Sequence, residues 1–545
     1  MNSFISFVGW VERSETHRAH PRYLMGFTLR TQPILRLILV LAALFWATTT
    51  LADPATLYRQ HCAQCHHPDR LGAIGPALIP QNLHRLRKKK AVEVITHGRP
   101  ATQMPAFGDK LTPEQIAGLV DYIYTPLKSV PTWGMKEMRA NHPVLHPHGT
   151  LPDKPKFQAD LDNLFVVVEL GDHHFTLLDG GTFEPIGRFP TRFAVHGGPK
   201  WAEGGRYVYF LSRDGWVSKF DVYNLTWVAE IRAGINARNL AVSDDGKTVI
   251  VANYLPHNLV VLDARNLDPL KIIPARGENG ASSRVSAVYT AAPRHSFVAA
   301  LKDVPELWEI NYEEEPPPGF GQWVHDYRPD SGELEKGERF PVRRTRLDRV
   351  LDDFFLTQDY EKVVGSSREG GTAVYDLDLR RKMAEIDLPG MPHLSSAISW
   401  QRGDSRVLAT PNIRKPEVAV IDTATWKVIK RIPTPGPGFF MRSHENSPYA
   451  WTDVFFGPHR DLMLVIDKQK LEIVKTLRPA PGKTSAHVEF TKDGRYALVS
   501  IWDMDGAIVV YDARTLEEVK RIPMKKPSGK YNVHNKLTRS EGTSH

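Results

Sequence analysis

The two cysteines of this 545-residue chain lie in one short motif, Cys62-Ala63-Gln64-Cys65-His66. This spacing is typical of covalent c-type haem attachment, in which both thiols form thioethers and the adjacent histidine binds the iron. A zinc site would need further ligands at suitable spacing, and a dithiol redox pair does not require the histidine. The motif therefore predicts one covalent haem c, bound through Cys62 and Cys65, with His66 as an axial ligand.

A second iron ligand and a covering helix are predicted downstream of this motif. Met104 and Pro105 come first, and Leu111 to Gln115 then precede an apolar-periodic run that ends at Tyr124. This order is typical of a small haem-c domain. We predict an all-α cytochrome c domain over residues 53–126, with Met104 as the second axial ligand.

The N-terminus predicts export. Arg30 and Arg36 precede the apolar run Ile38–Trp46, which is followed by a small-residue cleavage pattern ending at Ala52. The apolar run is shorter than the ~20 residues that span a bilayer. Residues 1–52 are therefore predicted to be a signal peptide, and the polar character of the first residues favours Met25 as the true start. The mature chain is expected in the periplasm.

The charge of the chain argues against nucleic-acid binding. The net charge is +8 and the isoelectric point is about 9.2, which is modest at this length. The basic residues do not form a stripe, so we expect no nucleic-acid partner. The positive balance favours at most docking to acidic redox partners.

A repeat begins at Leu164, with a period of roughly 40–45 residues. Residues 241–253 and 488–500 each contain a strand, an Asp-Gly turn and a second strand, and two further strands follow each of them. Four antiparallel strands per unit are typical of a β-propeller blade. About eight units predict an all-β eight-bladed propeller over residues 161–536, joined to the first domain by a linker over 127–160.

Two irregularities of the repeat lead to expectations about the ring. The first unit lacks its leading strand, which residues 531–534 could supply and so close the ring. Residues 313–345 are rich in Glu, Pro and Arg and are interpreted as an insertion.

One face of this propeller collects chemically active side chains. Alignment of the units on the Asp-Gly turn places the following residues on or near one rim of the central channel: His196, His393, His487, Arg238, Arg276 and Arg284. His444 instead falls beside a turn on the opposite face, where a structural role is expected. Three histidines with three arginines predict a site for an iron macrocycle that carries carboxylates.

The layout resembles the cytochrome cd1 nitrite reductase family over essentially all of the chain after the signal peptide. The most specific stretches are Phe193–His196, Gly205–Gly215, Asn236–Arg238 and Gly529–Val533. The resemblance implies that the propeller binds haem d1, with His196 as the proximal iron ligand. It also implies that Arg238 and Tyr254 line the pocket and that Arg276 and Arg284 flank the segment at the macrocycle edge.

The chain departs from that family where two distal histidines would protonate nitrite. It has Asp352 at the first position, and the second region contains Trp400 and Gln401. An aspartate cannot donate a proton near neutral pH unless its pKa is strongly raised. The resemblance is therefore closer to the paralogues that oxidise a propionate of dihydro-haem d1 to an acrylate, the last step of haem d1 biosynthesis.

That resemblance implies a set of roles and partners. Dihydro-haem d1 is the non-covalent substrate, and His393 and His487 are the distal groups, one as base and the other as iron ligand. The electrons leave through haem c to a periplasmic electron acceptor, and cytochrome cd1 nitrite reductase is a candidate recipient of the haem d1 product. Three alternatives remain open: a haem d1 carrier or assembly protein, a nitrite reductase, and a haem-c propeller dehydrogenase that uses no d1.

Overall fold

A computed structural model of the chain describes residues 53–73, 75–84, 86–99, 104–129, 131–195, 198–317, 320 and 339–538. The predicted signal peptide and His196 lie outside the described residues. Within the described ranges, no helix is both long enough and apolar enough to cross a membrane.

The first domain is helical, as predicted. Its helices are α1 (Pro54–His61), α2 (Ala63–His66), α3 (Pro80–Leu83), α4 (Lys88–His97) and α5 (Pro113–Tyr124). A capping box starts α5: Thr112 Oγ1 accepts the Gln115 amide, and Gln115 Oε1 accepts the Thr112 amide. The buried face of α5 then packs against α1 and α4 in the core of this domain.

The second domain is an eight-bladed propeller, which confirms the predicted fold class. Each blade is a four-stranded antiparallel sheet. Blade 1 contains β1 (Leu164–Glu169), β2 (His174–Asp179) and β3 (Pro185–Pro190). Blade 2 contains β4 (Lys200–Ala202), β5 (Tyr207–Leu211), β6 (Trp216–Asp221) and β7 (Thr226–Arg232). Blade 3 contains β8 (Asn236–Val242), β9 (Thr248–Leu255), β10 (Asn258–Asp263) and β11 (Pro269–Pro274), and blade 4 contains β12 (Val285–Ala291), β13 (Ser296–Leu301), β14 (Glu306–Asn311) and β15 (Val342–Arg346).

The other four blades follow in chain order. Blade 5 contains β16 (Asp353–Leu356), β17 (Lys362–Ser366), β18 (Thr372–Asp376) and β19 (Arg381–Ile386). Blade 6 contains β20 (Ile398–Arg402), β21 (Ser405–Pro411), β22 (Glu417–Asp422) and β23 (Lys427–Pro433). Blade 7 contains β24 (Met441–Ser443), β25 (Tyr449–Asp453), β26 (Met463–Asp467) and β27 (Glu472–Leu477), and blade 8 contains β28 (Ser485–Phe490), β29 (Tyr496–Ile501), β30 (Gly506–Asp512) and β31 (Glu518–Met524). Hydrophobic clusters fill the spaces between neighbouring sheets.

The ring closes through a strand from the C-terminal region. Strand β32 (Pro527–Asn532) pairs antiparallel with β1, so that Val167 lies opposite Lys530. The expected closing strand is therefore confirmed, but Val533 and His534 belong to the following helix α7 (Val533–Leu537). The expected insertion over 313–345 is wrong at its end, because β15 pairs with β14 and completes blade 4.

Arg232 at the end of β7 joins the propeller to the haem-c domain. Its guanidinium is buried and donates to the carbonyl oxygens of Leu71 (2.6 Å), Gly72 (3.1 Å) and Asp214 (3.0 Å). It also lies 4.7 Å from the ring centroid of Trp133, whose indole N–H donates to the Arg232 carbonyl at 2.6 Å. One side chain thus binds both domains and the segment between them, which also contains α6 (Met135–Ala140).

An apolar contact extends this interface. Ala77 and Ile79 of the haem-c domain pack with Ile235 and Leu255 of blade 3. Ile235 directly precedes β8, the strand that carries Arg238. The haem-binding loop therefore lies at the propeller face on which the sequence places the histidine and arginine rim.

Candidate functional site

The haem-c motif is held in a shape that fits a covalent haem. The His66 amide donates to the Cys62 carbonyl at 2.9 Å, and the Gly75 amide donates to the Cys65 carbonyl at 2.7 Å. His66 Nδ1 lies 2.7 Å from the Pro76 carbonyl oxygen. Because a carbonyl only accepts, Nδ1 carries the proton and Nε2 keeps its lone pair for a metal.

The surroundings of His66 support the same fit. Burial lowers the pKa of His66, which keeps the imidazole neutral. A Cβ at Gly75 would meet the His66 ring at 2.6 Å, so the loop can approach the ring only with glycine there. Cys62 and Cys65 are half-buried and form no disulfide within the described residues, and Met104 packs against the same helical core as Cys62. These residues fit a covalent haem c, with His66 and Met104 as its proposed ligands.

On the propeller rim, His393 lies in the loop that enters blade 6. Its Nδ1 is 2.5 Å from the Phe439 carbonyl oxygen, and its ring stacks on the Phe439 ring at 4.0 Å between centroids. Nε2 lies 3.3 Å from Ser395 Oγ and 3.7 Å from Asp353 Oδ2. The carbonyl fixes the proton on Nδ1, and burial lowers the pKa of His393 although Asp353 raises it. His393 is thus a neutral imidazole with its Nε2 lone pair beside a carboxylate.

His487 is the second rim histidine, and it lies at a bulge of β28. Its φ of 52° is in the left-handed region, which a non-glycine residue adopts at a cost of about 1–3 kcal/mol. The residue is 6% exposed, and its buried Nδ1 has no hydrogen-bond partner among the residues that the structure describes. Burial and then the charge of Lys530 lower the pKa of His487 well below its usual value. A neutral imidazole with an unsatisfied nitrogen is suited to bind a metal.

Beneath His487 the channel contains buried charged groups. Lys530 Nζ donates to the His487 carbonyl oxygen and to Ser500 Oγ. Arg442 and Glu489 are also buried, with 3.8 Å between their charged groups. These cations are one reason why His487 stays neutral.

Arg238 belongs to the same chamber as His393. It is half-buried in β8, and its positive charge adds to the effect of burial in lowering the pKa of His393. Burial raises the pKa of Tyr289 far above its usual value, and the charge of Arg238 opposes this rise. Asp353 is also close to Tyr289, because its charge raises the pKa of that phenol. The structure therefore brings Arg238, His393 and Asp353 together, although they come from three different blades.

The other predicted arginines have different environments. Arg284 is paired with Asp303 through Nε at 2.9 Å, and its guanidinium lies 5.4 Å from the ring centroid of the buried Tyr254. Arg276 is exposed, and among the described residues it forms no ion pair. Arg276 is thus available to bind a carboxylate, whereas Arg284 already binds one.

The two positions at which the chain was expected to depart from nitrite reductases lie in different environments. Asp352 accepts from Lys302 Nζ and from Arg368 Nε (2.7 Å), and these cations hold its pKa below the usual range against burial. It is an ionised acceptor and not a proton donor. The expectation for Trp400 and Gln401 is wrong: both lie late in β20, where Gln401 bonds to the turn residue Gly403. The loop that enters blade 6 carries His393 instead.

The sequence did not reveal several residues that surround the histidines. Phe439 and Phe440 pack on His393, and Phe440 and Tyr531 pack on His487 with ring centroids 5.0 and 5.3 Å away. The aromatic cluster is completed by Phe455, Phe456 and Trp502. A run of two phenylalanines was the only available signal. His444 is buried and accepts the Asn446 amide near a turn, in keeping with a structural role.

Fold and site together define a cytochrome c domain joined to a macrocycle-binding propeller. Residues 159–536 match the family described as Cytochrome D1 heme domain, and residues 49–123 match Cytochrome C oxidase, cbb3-type, subunit III. The chain belongs to the Cytochrome D1 heme domain family.

Comparison with individual relatives shows which members of this family the chain is similar to. The dihydro-haem d1 dehydrogenase of Pseudomonas aeruginosa is 55% identical over 495 residues, which are 91% of this chain and 96% of the relative. The solved structure of dihydro-haem d1 dehydrogenase NirN in complex with DHE has a TM-score of 0.83 at 55% identity, and the match covers 89% of this chain and 100% of that one. The nitrite reductase of Stutzerimonas stutzeri is 24% identical over 540 residues, 88% of this chain and 92% of the relative.

Proposed function

We propose that this chain is a dihydro-haem d1 dehydrogenase that oxidises one propionate of its substrate to an acrylate. The enzyme class is supported by 55% identity over nearly the whole length of a dehydrogenase of that name. The observation that supports the chemistry is the pair of neutral imidazoles on one rim, His393 beside a carboxylate and His487 with an unsatisfied nitrogen.

The reaction removes two electrons and two protons from a saturated Cα–Cβ bond next to the macrocycle. We assign His393 as the base, because Phe439 fixes its Nδ1 proton and Nε2 is therefore able to accept another. Asp353 lies 3.7 Å from Nε2 and would stabilise the imidazolium that forms. The same neutral state makes His393 ready to act without first losing a proton.

We assign His487 as the distal ligand of the substrate iron. Its imidazole is neutral, and its neighbours Phe440 and Tyr531 contact it with their rings. His196, which lies outside the described residues, remains the proposed proximal ligand. This arrangement would hold the macrocycle between two imidazoles within the rim.

Arginines would orient the substrate through its carboxylates. The charge of Arg238 acts on His393, and we place one propionate on this arginine so that its carbon chain would be presented to the base. Arg276 is free to bind a second carboxylate at the rim. Haem c, when bound, supplies a one-electron redox centre for the electrons released. We further propose a periplasmic location, a periplasmic electron acceptor and cytochrome cd1 nitrite reductase as recipient of haem d1.

Anaerobic incubation with dihydro-haem d1 tests this proposal. Turnover should convert the substrate spectrum to that of haem d1 and reduce haem c, whereas a carrier would only bind the macrocycle. His393→Ala should lower the rate roughly 10²–10⁴-fold with little change in binding, as for loss of one acid–base group. Arg238→Ala should mainly weaken binding. His459→Ala, an exposed histidine in the loop between β25 and β26, is the matched control and should behave as wild type.

A further inference from the structure

One buried carboxylate contacts the segments that carry both rim histidines. Asp453 ends β25, is fully buried, and accepts backbone hydrogen bonds from Phe439 (2.7 Å), Phe440 (3.1 Å) and His487 (3.4 Å). These donors come from the loop that enters blade 7 and from the first strand of blade 8. Because Asp453 is fully buried, its influence on the rim would pass through these donors.

The first connection leads to His393. The Phe439 carbonyl receives the Nδ1 proton of His393, and the Phe439 ring stacks on the imidazole at an interplanar angle of 23°. Asp453 Oδ1 accepts the Phe439 amide and thereby fixes the peptide chain at this residue. The orientation of His393 therefore depends on a residue that Asp453 holds in place.

The second connection leads to His487. Oδ2 of Asp453 accepts the His487 amide, at the bulge where the backbone adopts a positive φ. The Ala486–Val488 register shift removes this amide from the regular pairing of β28 with β29. The carboxylate supplies the acceptor that the strand does not, and so supports the conformation that sets the direction of the imidazole.

We propose that Asp453 is a positioning residue that sets the geometry of both histidines at once. The inference rests on the proposed function, because it assigns a common support to the proposed base and the proposed iron ligand. Burial raises the pKa of Asp453 to about 7, and the hydrogen bonds from the Phe439, Phe440 and His487 amides oppose this by favouring the ionised form. Three N–H donors converge on its two oxygens, and a carboxylate only accepts, whereas an asparagine would turn an NH₂ group towards one of them.

The test compares Asp453→Asn with Asp461→Asn in the full-length haem-c protein. Asp461 is a second buried carboxylate of blade 7, and it accepts the Gly482 amide at 2.9 Å and a hydrogen bond from Arg478 Nη1 at 3.1 Å. Each variant is titrated anaerobically with dihydro-haem d1, and the spectrum of the bound macrocycle reports its axial ligation. Asp453→Asn should change that spectrum and lower kcat about 10²-fold with KM within about threefold, as expected for misplaced groups. Asp461→Asn should leave both unchanged.

A double-mutant cycle separates positioning from general loss of structure. If Asp453 acts through His487, the spectral effect of Asp453→Asn should disappear in a His487→Ala background. An effect of equal size in both backgrounds, or a native spectrum and native kcat in Asp453→Asn, would overturn the proposal. If Asp453→Asn does not fold, Phe439→Leu can be measured instead. This variant keeps the backbone carbonyl that accepts the Nδ1 proton of His393 but removes the stacked ring, so kcat should still fall. Since the spectrum measures ligation without turnover, an inactive wild-type enzyme would count only against the proposed reaction.

Discussion

Removal of the Arg232 guanidinium should uncouple the haem-c domain from the propeller. Arg232→Met preserves the aliphatic chain but loses three buried hydrogen bonds, to Leu71, Gly72 and Asp214. Charged hydrogen bonds contribute about 1.5–3 kcal/mol each. Burial of the guanidinium opposes them, which is also why burial lowers the pKa of Arg232. Loss of the guanidinium leaves three neutral carbonyl oxygens without this donor, and each one that water cannot reach costs about 1–3 kcal/mol.

The assay is guanidinium chloride unfolding followed by two signals. Soret absorbance reports the haem-c domain, and tryptophan fluorescence reports the propeller. For wild type we expect coincident transitions. For Arg232→Met the Soret transition should move to lower denaturant by about 1 M, because m values in guanidinium are of the order of a few kcal/mol per M. The propeller transition should change much less.

A matched control distinguishes domain docking from general stability. Arg294 is a half-buried arginine of the propeller, and it binds Glu309 at 2.8 Å and Asp378 at 2.6 Å. Arg294→Met should lower the fluorescence transition and should not separate the two signals. Coincident transitions at the wild-type midpoint in Arg232→Met would refute the role assigned to this contact.

Four further predictions concern the haem-c ligands, the buried Asp214 and the propeller rim. Replacement of Cys62 and Cys65 by Ala should abolish the haem stain on a denaturing gel, and Met104→Ala should lower the haem-c potential in a redox titration. Burial raises the pKa of Asp214 from 3.8 to about 6, so its contribution to stability is present below about pH 4 and is lost as the pH rises through 6. In wild type this loss lowers the free energy of unfolding as the pH rises through that range. In Asp214→Asn the fall should be smaller by up to about 3 kcal/mol. Nitrite should not be turned over, because Asp352 is held ionised by Lys302 and Arg368; robust nitrite reduction by the wild type would contradict this.

Local patterns predicted the haem-c motif and the propeller. The cysteine spacing is a contiguous signal, and Asp-Gly turns between alternating strands repeat along the chain. The closing strand β32 could also be inferred, since the first unit lacked a strand. The end of the insertion was misjudged because β15 is rich in arginine and does not look like a buried strand.

Contacts across blades could not be read from the sequence. Asp453 is 34 residues from His487 along the chain, yet its carboxylate accepts that amide. Neighbouring residues also separate in space: Asp352 faces Lys302, while Asp353 lies next to His393. Successive residues at the start of a strand point to opposite faces of the sheet. The sequence does not show which face each residue takes, because the path of the preceding loop is unknown. The misplacement of Trp400 and Gln401 has the same cause.

The closing strand has a consequence for the order in which the protein matures. Tyr531 and Lys530, which contact His487, belong to a strand that follows all other propeller strands along the chain, whereas the haem-c motif precedes all of them. Haem attachment can therefore precede completion of the ring. A chain cut short before β32 would still carry haem c but would lack one wall of the pocket. Loss of this one strand would therefore open the ring and remove two contacts of His487 together, while leaving the haem-c motif intact.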